Sequence, residues 1–161
     1  MSPQETAEAL SAQFGAVVQD VVHFRGESTA LVARDSLVEV ATFCRDDLGY
    51  DYLSDVSATD WLDRSPRFDV VYHLTSLKHW NRFRLKVQVD DGEQVPTVIP
   101  VWSAANWGER EVWDLFGIDF AGHPDLRRLL LPEGWVGFPL RKDFAQTQIA
   151  LPRPKTDKIL K

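Results

Sequence analysis

The carboxylates Glu109, Glu111 and Asp114 and the imidazole of His123 come nearest, in this 161-residue sequence, to a set that could do acid–base chemistry. Glu109 and Glu111 stand two apart in a helical stretch, so their side chains point to different sides and do not form a working pair. No Gly-x-Ser-x-Gly turn presents a serine nucleophile. The nine glycines include no Gly-x-Gly. Gly117 and Gly122 have the outer spacing of a phosphate loop, but His123 and Pro124 stand where such a loop needs Lys and Ser or Thr. A nicotinamide or flavin site on this chain is therefore not expected.

Metal chemistry fares no better. His23, His73, His79 and His123 fall on four different elements, and no two are three or four apart, so no helical chelate forms. His73, between Tyr72 and Leu74, reads as a hydrogen-bonded core or edge histidine. The single cysteine, Cys44, can neither close an internal disulfide nor ligate an iron–sulfur cluster alone. It sits in an apolar helical pattern, which suits a buried, inert thiol. The expectation is that the chain has no catalytic, cofactor-binding or metal-ligating residues.

The elements that carry these residues follow from periodicity. Residues 3–13 read as a short helix with Ala7, Leu10 and Phe14 on one face. Val17 to Phe24 and Thr29 to Ala33 form a hairpin around Arg25-Gly26-Glu27-Ser28. Asp35 or Ser36 can cap a helix through about Leu48, which Gly49 ends. Strands are expected at Tyr50 to Trp61, Phe68 to Leu77 and Arg82 to Val89. The last alternates Phe83, Leu85, Val87 and Val89 with Arg84, Lys86 and Gln88, one dry face and one wet. Pro96 and Pro100 keep Val95 to Val101 out of any central strand. A third helix runs from about Ser103 to Phe116. Five prolines beyond it forbid another long one.

This order predicts an α+β fold: a two-layer sandwich of a mostly antiparallel or mixed sheet with helices on one face, followed by an extended C-terminal tail. Residues 1–116 would form the α+β domain and 117–161 a Pro-rich docking tail of the same unit. No apolar run approaches the ~20 residues that span a bilayer, and the start shows no secretory signal. Net charge is −6, but residues 141–161 carry +4 and the rest −10, which argues against nucleic acid as the main partner.

Residues 105–144 are the informative stretch. Asn106 can cap the helix, with Glu109 in capping-box position. Ala105, Glu109, Val112 and Phe116 share one face, and Arg110 and Asp114 are spaced to pair. Gly117 is a natural left-handed stop, with Ile118 folding back over the last turn. Arg127 and Arg128 precede Leu129-Leu130-Leu131. A solvated helix face is the ordinary reading of such charges. Trp102, Trp107, Trp113 and Trp135 crowd the same stretch, however, and an extended tail cannot bury them on so small a domain, which points to a permanent interface.

This stretch resembles the signature of the 30-kDa subunit family of NADH:quinone oxidoreductases, the C-type subunits of the proton-pumping respiratory complex I. The matching positions are Glu109-Arg110-Glu111, Asp114, Leu115-Phe116, His123, Arg127 and Leu129-Leu130. Pro139-Leu140-Arg141-Lys142-Asp143-Phe144, Tyr52-Leu53-Ser54-Asp55 and Val71-Tyr72-His73-Leu74 also look like the family, so the resemblance spans roughly residues 10–145. Phe138 departs from it, standing where many members have His. The resemblance implies a non-redox assembly subunit of the peripheral arm. It would support electron transfer from NADH through FMN and iron–sulfur clusters to quinone, while binding none of these itself.

The implied partners are the quinone-site (D-type) subunit and the cluster-bearing (B- and I-type) subunits. The implied location is the cytoplasmic side of the cell membrane, as a peripheral protein. The interface residues would be Glu109, Arg110, Glu111, Asp114, Leu115, Phe116, His123, Pro124, Arg127, Arg128, Arg141, Lys142 and Asp143, with the acidic and basic ones of the helix in buried or half-buried ion pairs. Arg127 and Arg128 would reach a partner carboxylate or else be ordinary surface arginines; His123 would bond backbone within a turn stiffened by Pro124 or, on a second reading, contact a partner or act as a proton-linked group; and 145–161 would wrap a partner. Two alternatives stand beside this: a same-fold subunit of a ferredoxin-fed photosynthetic complex or membrane-bound hydrogenase, and a stand-alone small enzyme using Glu109 and His123.

Overall fold

The computed structural model describes residues 1–145. Helix α1, Pro3–Phe14, starts on a capping box: Ser2 Oγ accepts from Glu5 N at 3.2 Å, while Glu5 Oε2 accepts from Ser2 N at 2.8 Å. A hairpin follows, β1 (Val18–Phe24) and β2 (Glu27–Val32), then α2 (Leu37–Asp46). Three long strands come next: β3 (Tyr52–Asp60), β4 (Phe68–Ser76) and β5 (Asn81–Val89). The remainder is short β6 (Gln94–Pro96), α3 (Ala105–Phe116) and β7 (Asp119–Ala121).

The main sheet has the order β1-β2-β5-β4-β3. Its neighbours pair antiparallel except β2 with β5, which run parallel, so the sheet is mixed. The alternation in β5 does what its pattern demands: Phe83, Leu85, Val87 and Val89 are buried, and Arg84, Lys86 and Gln88 are not. The buried face of β4 adds Phe68, Val70, Tyr72 and Leu74. Ala7 and Leu10 of α1, Leu37, Val40, Ala41 and Cys44 of α2, and Ala105, Val112 and Phe116 of α3 belong to the same core. All three helices therefore cover one face, and the architecture is the expected α+β two-layer sandwich.

Residues 95–101 stay out of the main sheet, as Pro96 and Pro100 require; Val95 and Pro96 end the short strand β6, which pairs parallel with β7 in a separate two-stranded sheet. Other local expectations are corrected. His73 is not at an edge, because β4 lies between β5 and β3. It sits half-buried on the open face with no hydrogen bond to its ring among the described residues, and burial pushes its pKa down. Cys44 is fully buried, and its thiol pKa is pushed up by desolvation, as an inert thiol requires.

The start of α3 also differs. Its N-cap is Ala104, with no side-chain cap bond, and Asn106 lies inside the first turn. The helix is seeded instead by Trp102, whose amide bonds Val98 O at 2.9 Å and whose buried indole donates to Tyr50 O at 3.1 Å. Burial of one large side chain outweighs a cap worth ~1 kcal/mol.

Gly108 brings α3 against β3: a Cβ built there would lie 2.9 Å from Val56 Cβ. In an exposed helix, Gly→Ala stabilises by ~1 kcal/mol. Gly108→Ala should instead destabilise this chain by about 1–3 kcal/mol, because α3 must lift off the sheet. A urea denaturation midpoint no lower than that of the native chain would contradict this close approach.

Candidate functional site

Helix α3 carries three charged residues that the fold takes out of water: Glu109, Arg110 and Asp114. Each is satisfied differently. Glu109 is fully buried; Oε1 accepts from Val98 N at 2.8 Å and Oε2 from the Thr97 hydroxyl at 2.5 Å. No cation pairs with it among the described residues. Burial pushes its pKa up to about 7, and the two hydrogen bonds only partly oppose this. The capping-box role is thus replaced by a core role, because the Ala105–Glu109–Val112–Phe116 face is the one that packs inward.

Asp114 is fully buried as well, and here the chain wraps around the carboxylate. Oδ2 accepts from three successive amides, Leu129 (3.1 Å), Leu130 (2.8 Å) and Leu131 (2.9 Å). Oδ1 accepts from Arg128 Nη1 at 2.9 Å. Burial alone would raise its pKa, but these donors outweigh it and hold the group below the usual carboxylate range.

Arg128 completes the buckle. It also donates to the carbonyls of Asp114, Trp135 and Gly137 at 2.8, 3.0 and 3.1 Å. Its guanidinium lies 5.5 Å from the Trp113 ring centroid and 5.2 Å from that of Phe138. The expected Arg110–Asp114 pair does not form, because Asp114 is taken by Arg128. Arg110 instead donates to the carbonyls of Arg127 (3.3 Å) and Arg128 (3.2 Å) and packs under Trp107.

The segment beyond α3 is held in the same way. Gly117, at φ 74°, ends the helix, and the Phe138 ring fills the space a Cβ there would need. Phe138 stands edge-on to Trp113 and under Arg141 as well as Arg128. Leu140 N bonds Leu115 O at 3.1 Å. Arg141 donates to Phe116 O and forms a two-pronged pair with Asp91 at 2.8 and 2.9 Å. Lys142 offers its amide to Asp60 (2.8 Å). Asp143 pairs with both terminal nitrogens of Arg67 at 2.9 and 3.0 Å. Arg67 at the same time grips buried Asp60 through two bonds of 2.8 Å and holds both carboxyls below their ordinary pKa.

The expectation that this tail cannot settle on its own domain is therefore corrected for 117–145. It lies on the domain through buried charges and backbone bonds, not through a core of its own. Leu130, Val136 and Leu140 nevertheless face outward. Residues 146–161, expected to wrap a partner, lie outside the described residues.

His123 takes the turn role: Nδ1 accepts from Asp125 N at 3.0 Å, so Nε2 carries the proton it donates to Asn106 O at 3.2 Å. Pro124 follows it in the same turn. Arg127 is largely exposed and bonds Asp125 at 2.8 Å. Arg128, by contrast, is bonded within the chain, to Asp114, Trp135 and Gly137. Glu111 is exposed and unpaired among the described residues; Leu115 is half-buried and Phe116 buried. Glu109 and His123 form no open acid–base pair, since every oxygen of one and both nitrogens of the other are bonded internally.

Sequence reasoning missed Thr97, Asp60, Arg67 and Asp91. Only chain-distant pairing joins them to the signature, and no spacing rule reaches that far. The residues described offer no thiolate set for an iron–sulfur cluster. The one thiol is buried, and no group of three His, Cys, Asp or Glu could hold a metal among the described residues.

Residues 30–149 match the protein family described as respiratory-chain NADH dehydrogenase, 30 Kd subunit. A Geobacter sulfurreducens protein named as the C subunit of NADH-quinone oxidoreductase is 48% identical over 137 residues, which cover 84% of this chain and 85% of that protein. Its namesake from Geobacter metallireducens is 50% identical with the same coverage. One from a Methylobacterium is 52% identical over 83% of this chain and 62% of its own length. Among solved structures, a chain of the membrane-bound sulfane sulfur reductase, an archaeal respiratory membrane complex, shares the fold. Its TM-score is 0.70 at 21% identity, over 89% of this chain and 85% of that one.

The two buried carboxylates should respond differently to substitution. Asp114→Ala strands three amides and a half-buried guanidinium, and should cost about 3–5 kcal/mol of unfolding free energy. A loss under ~1 kcal/mol would show the nest contributes little. Glu109 responds to pH. Its folded pKa of about 7 lies above its ordinary 4.5, so the stability it contributes is complete below that ordinary value and lost as pH rises through about 7. Glu109→Gln does not titrate, so on going from about pH 5 to about pH 8 it should gain on the native chain by on the order of 2–3 kcal/mol. Parallel pH profiles for the two proteins in urea melts would contradict this assignment.

Proposed function

Since the chain belongs to the respiratory-chain NADH dehydrogenase 30 Kd subunit family, we propose that it is a non-redox structural subunit in the peripheral arm of a proton-pumping NADH:quinone oxidoreductase. It holds together the subunits that carry electrons from NADH through FMN and iron–sulfur clusters to quinone. It docks on the quinone-site subunit and lies near the cluster-bearing subunits of the B and I types. It works on the cytoplasmic side of the membrane; no helix among its described residues is long and apolar enough to cross one.

One observation carries the structural role. The charged signature is spent on internal bonds: Glu109 on Val98 and Thr97, Arg110 on two carbonyls, Asp114 on three amides and Arg128. A catalytic cleft needs acids and bases that can reach a substrate. Here they fix the shape of a surface whose exposed side chains include Trp107, Leu130, Val136 and Leu140. Aromatic and aliphatic side chains held at fixed positions are what a permanent interface requires. Relatives near 50% identity support quinone as the electron acceptor; the sulfane sulfur reductase chain shares the fold alone.

The test is affinity purification of the tagged chain from native membranes after mild detergent. Cluster-bearing subunits and NADH–quinone activity should come with it; recovery of the chain alone would sink the reading. Arg110→Ala should reduce the amount of assembled complex while each assembled complex turns over at the native rate. Normal assembly with slowed turnover would speak for a direct role in the reaction.

A further inference from the structure

One surface of α3 is not explained by the internal bonds. Trp107 is 58% exposed although it sits on a rigid helix. Glu111, one turn later on the same side, is exposed and has no hydrogen bond or ion pair among the described residues. The stripe continues at Asp114, which is covered by the loop it binds, and that loop presents Leu130, 60% exposed. Trp107, Glu111 and Leu130 thus form a line: aromatic, carboxylate, aliphatic.

The arginines nearest in this part of the fold are bonded elsewhere. Arg110 lies under the Trp107 ring with its nitrogens on the carbonyls of Arg127 and Arg128. Arg127 is bonded to Asp125, and Arg128 to Asp114. None of the three is bonded to Glu111 among the described residues. The patch is also stiff, because buried Glu109 and Asp114 and the Gly108–Val56 contact fix the helix beneath it. A stiff aromatic anchor loses little entropy on binding. Trp80 is a useful contrast: it is 89% exposed, but on a turn and not on a helix.

We propose that the Trp107–Glu111–Leu130 line is a docking patch for a segment of another subunit of the complex that presents an arginine or lysine between apolar side chains. This rests on the subunit reading above. The basic group pairs with Glu111, and the flanking apolar contacts exclude water from the pair, which strengthens it. The rest of the chain up to residue 140 carries −10, which favours approach of a basic segment.

The experiment uses the full chain in the complex purified from membranes. A photoreactive amino acid in place of Trp107 should, on irradiation, cross-link to another subunit, within a peptide that contains Arg or Lys. Glu111→Arg should lower recovery of the chain with its partners at least fivefold, and Glu111→Gln about twofold. Cross-links confined to this chain, or equal recovery for Glu111→Arg and the native chain, would overturn the patch. Because the cross-link is read in complexes that have already assembled, misfolding of a Glu111 variant leaves a decisive measurement. If the native chain itself brings down no partner, the subunit reading has failed; if it does and the patch variants behave like it, only the patch has failed.

Discussion

A carboxylate removed from water must find its hydrogen bonds inside the protein, and Asp114 finds them on an irregular loop that it shapes. Three consecutive amides, at Leu129, Leu130 and Leu131, converge on one oxygen. Those amides have no strand or helix to bond within, so carboxylate and loop satisfy each other. Arg128 is positioned by the same contact and fastens Trp135 and Gly137. With that end pinned, Phe138 lies over Gly117, and Arg141 to Asp143 come within reach of Asp91, Asp60 and Arg67. The route of residues 128–137 turns on this one group, and the bonds of Leu140, Arg141 and Asp143 carry it on from there.

Glu109 and Asp114 lie on one helix, both without exposed surface, and end in opposite ionisation regimes. The difference is the number and charge of donors. Asp114 has four, one of them cationic; Glu109 has two neutral ones in a largely apolar surrounding. Four donors offset desolvation and two do not. One residue is a fixed negative charge that organises a loop. The other holds its proton up to near neutrality and behaves as a polar part of the core.

These internal bonds give the family assignment a physical content. Buried charge pairs cost more to break than they return in net stability, so they favour one geometry over alternatives more than they deepen the fold. A subunit that must present the same surface to several neighbours gains from that. Phe138 fits the pattern: wedged between two guanidinium groups and against Gly117, it is a packing element, and a protonated imidazole there would meet two positive charges.

The elements were legible in the sequence because they depend on local periodicity. Phe83, Leu85, Val87 and Val89 could only be one face of a strand, and Ala105, Glu109, Val112 and Phe116 only one face of a helix. Gly117 announced its turn, and a single cysteine, Cys44, is by itself too few ligands for a cluster site. The roles of the signature residues were not legible. Arg110 and Asp114 are spaced to pair, yet tertiary structure gave Asp114 to Arg128, fourteen residues on. Glu109 looked like a cap and became core, because the helix begins at Ala105 and the face that Glu109 shares packs inward. Asp60, Arg67 and Asp91 joined the site across chain separations no local rule covers. Periodicity and turn chemistry act within a few residues and survive in any context. The choice among competing partners for a buried charge is settled only when distant segments arrive and water leaves.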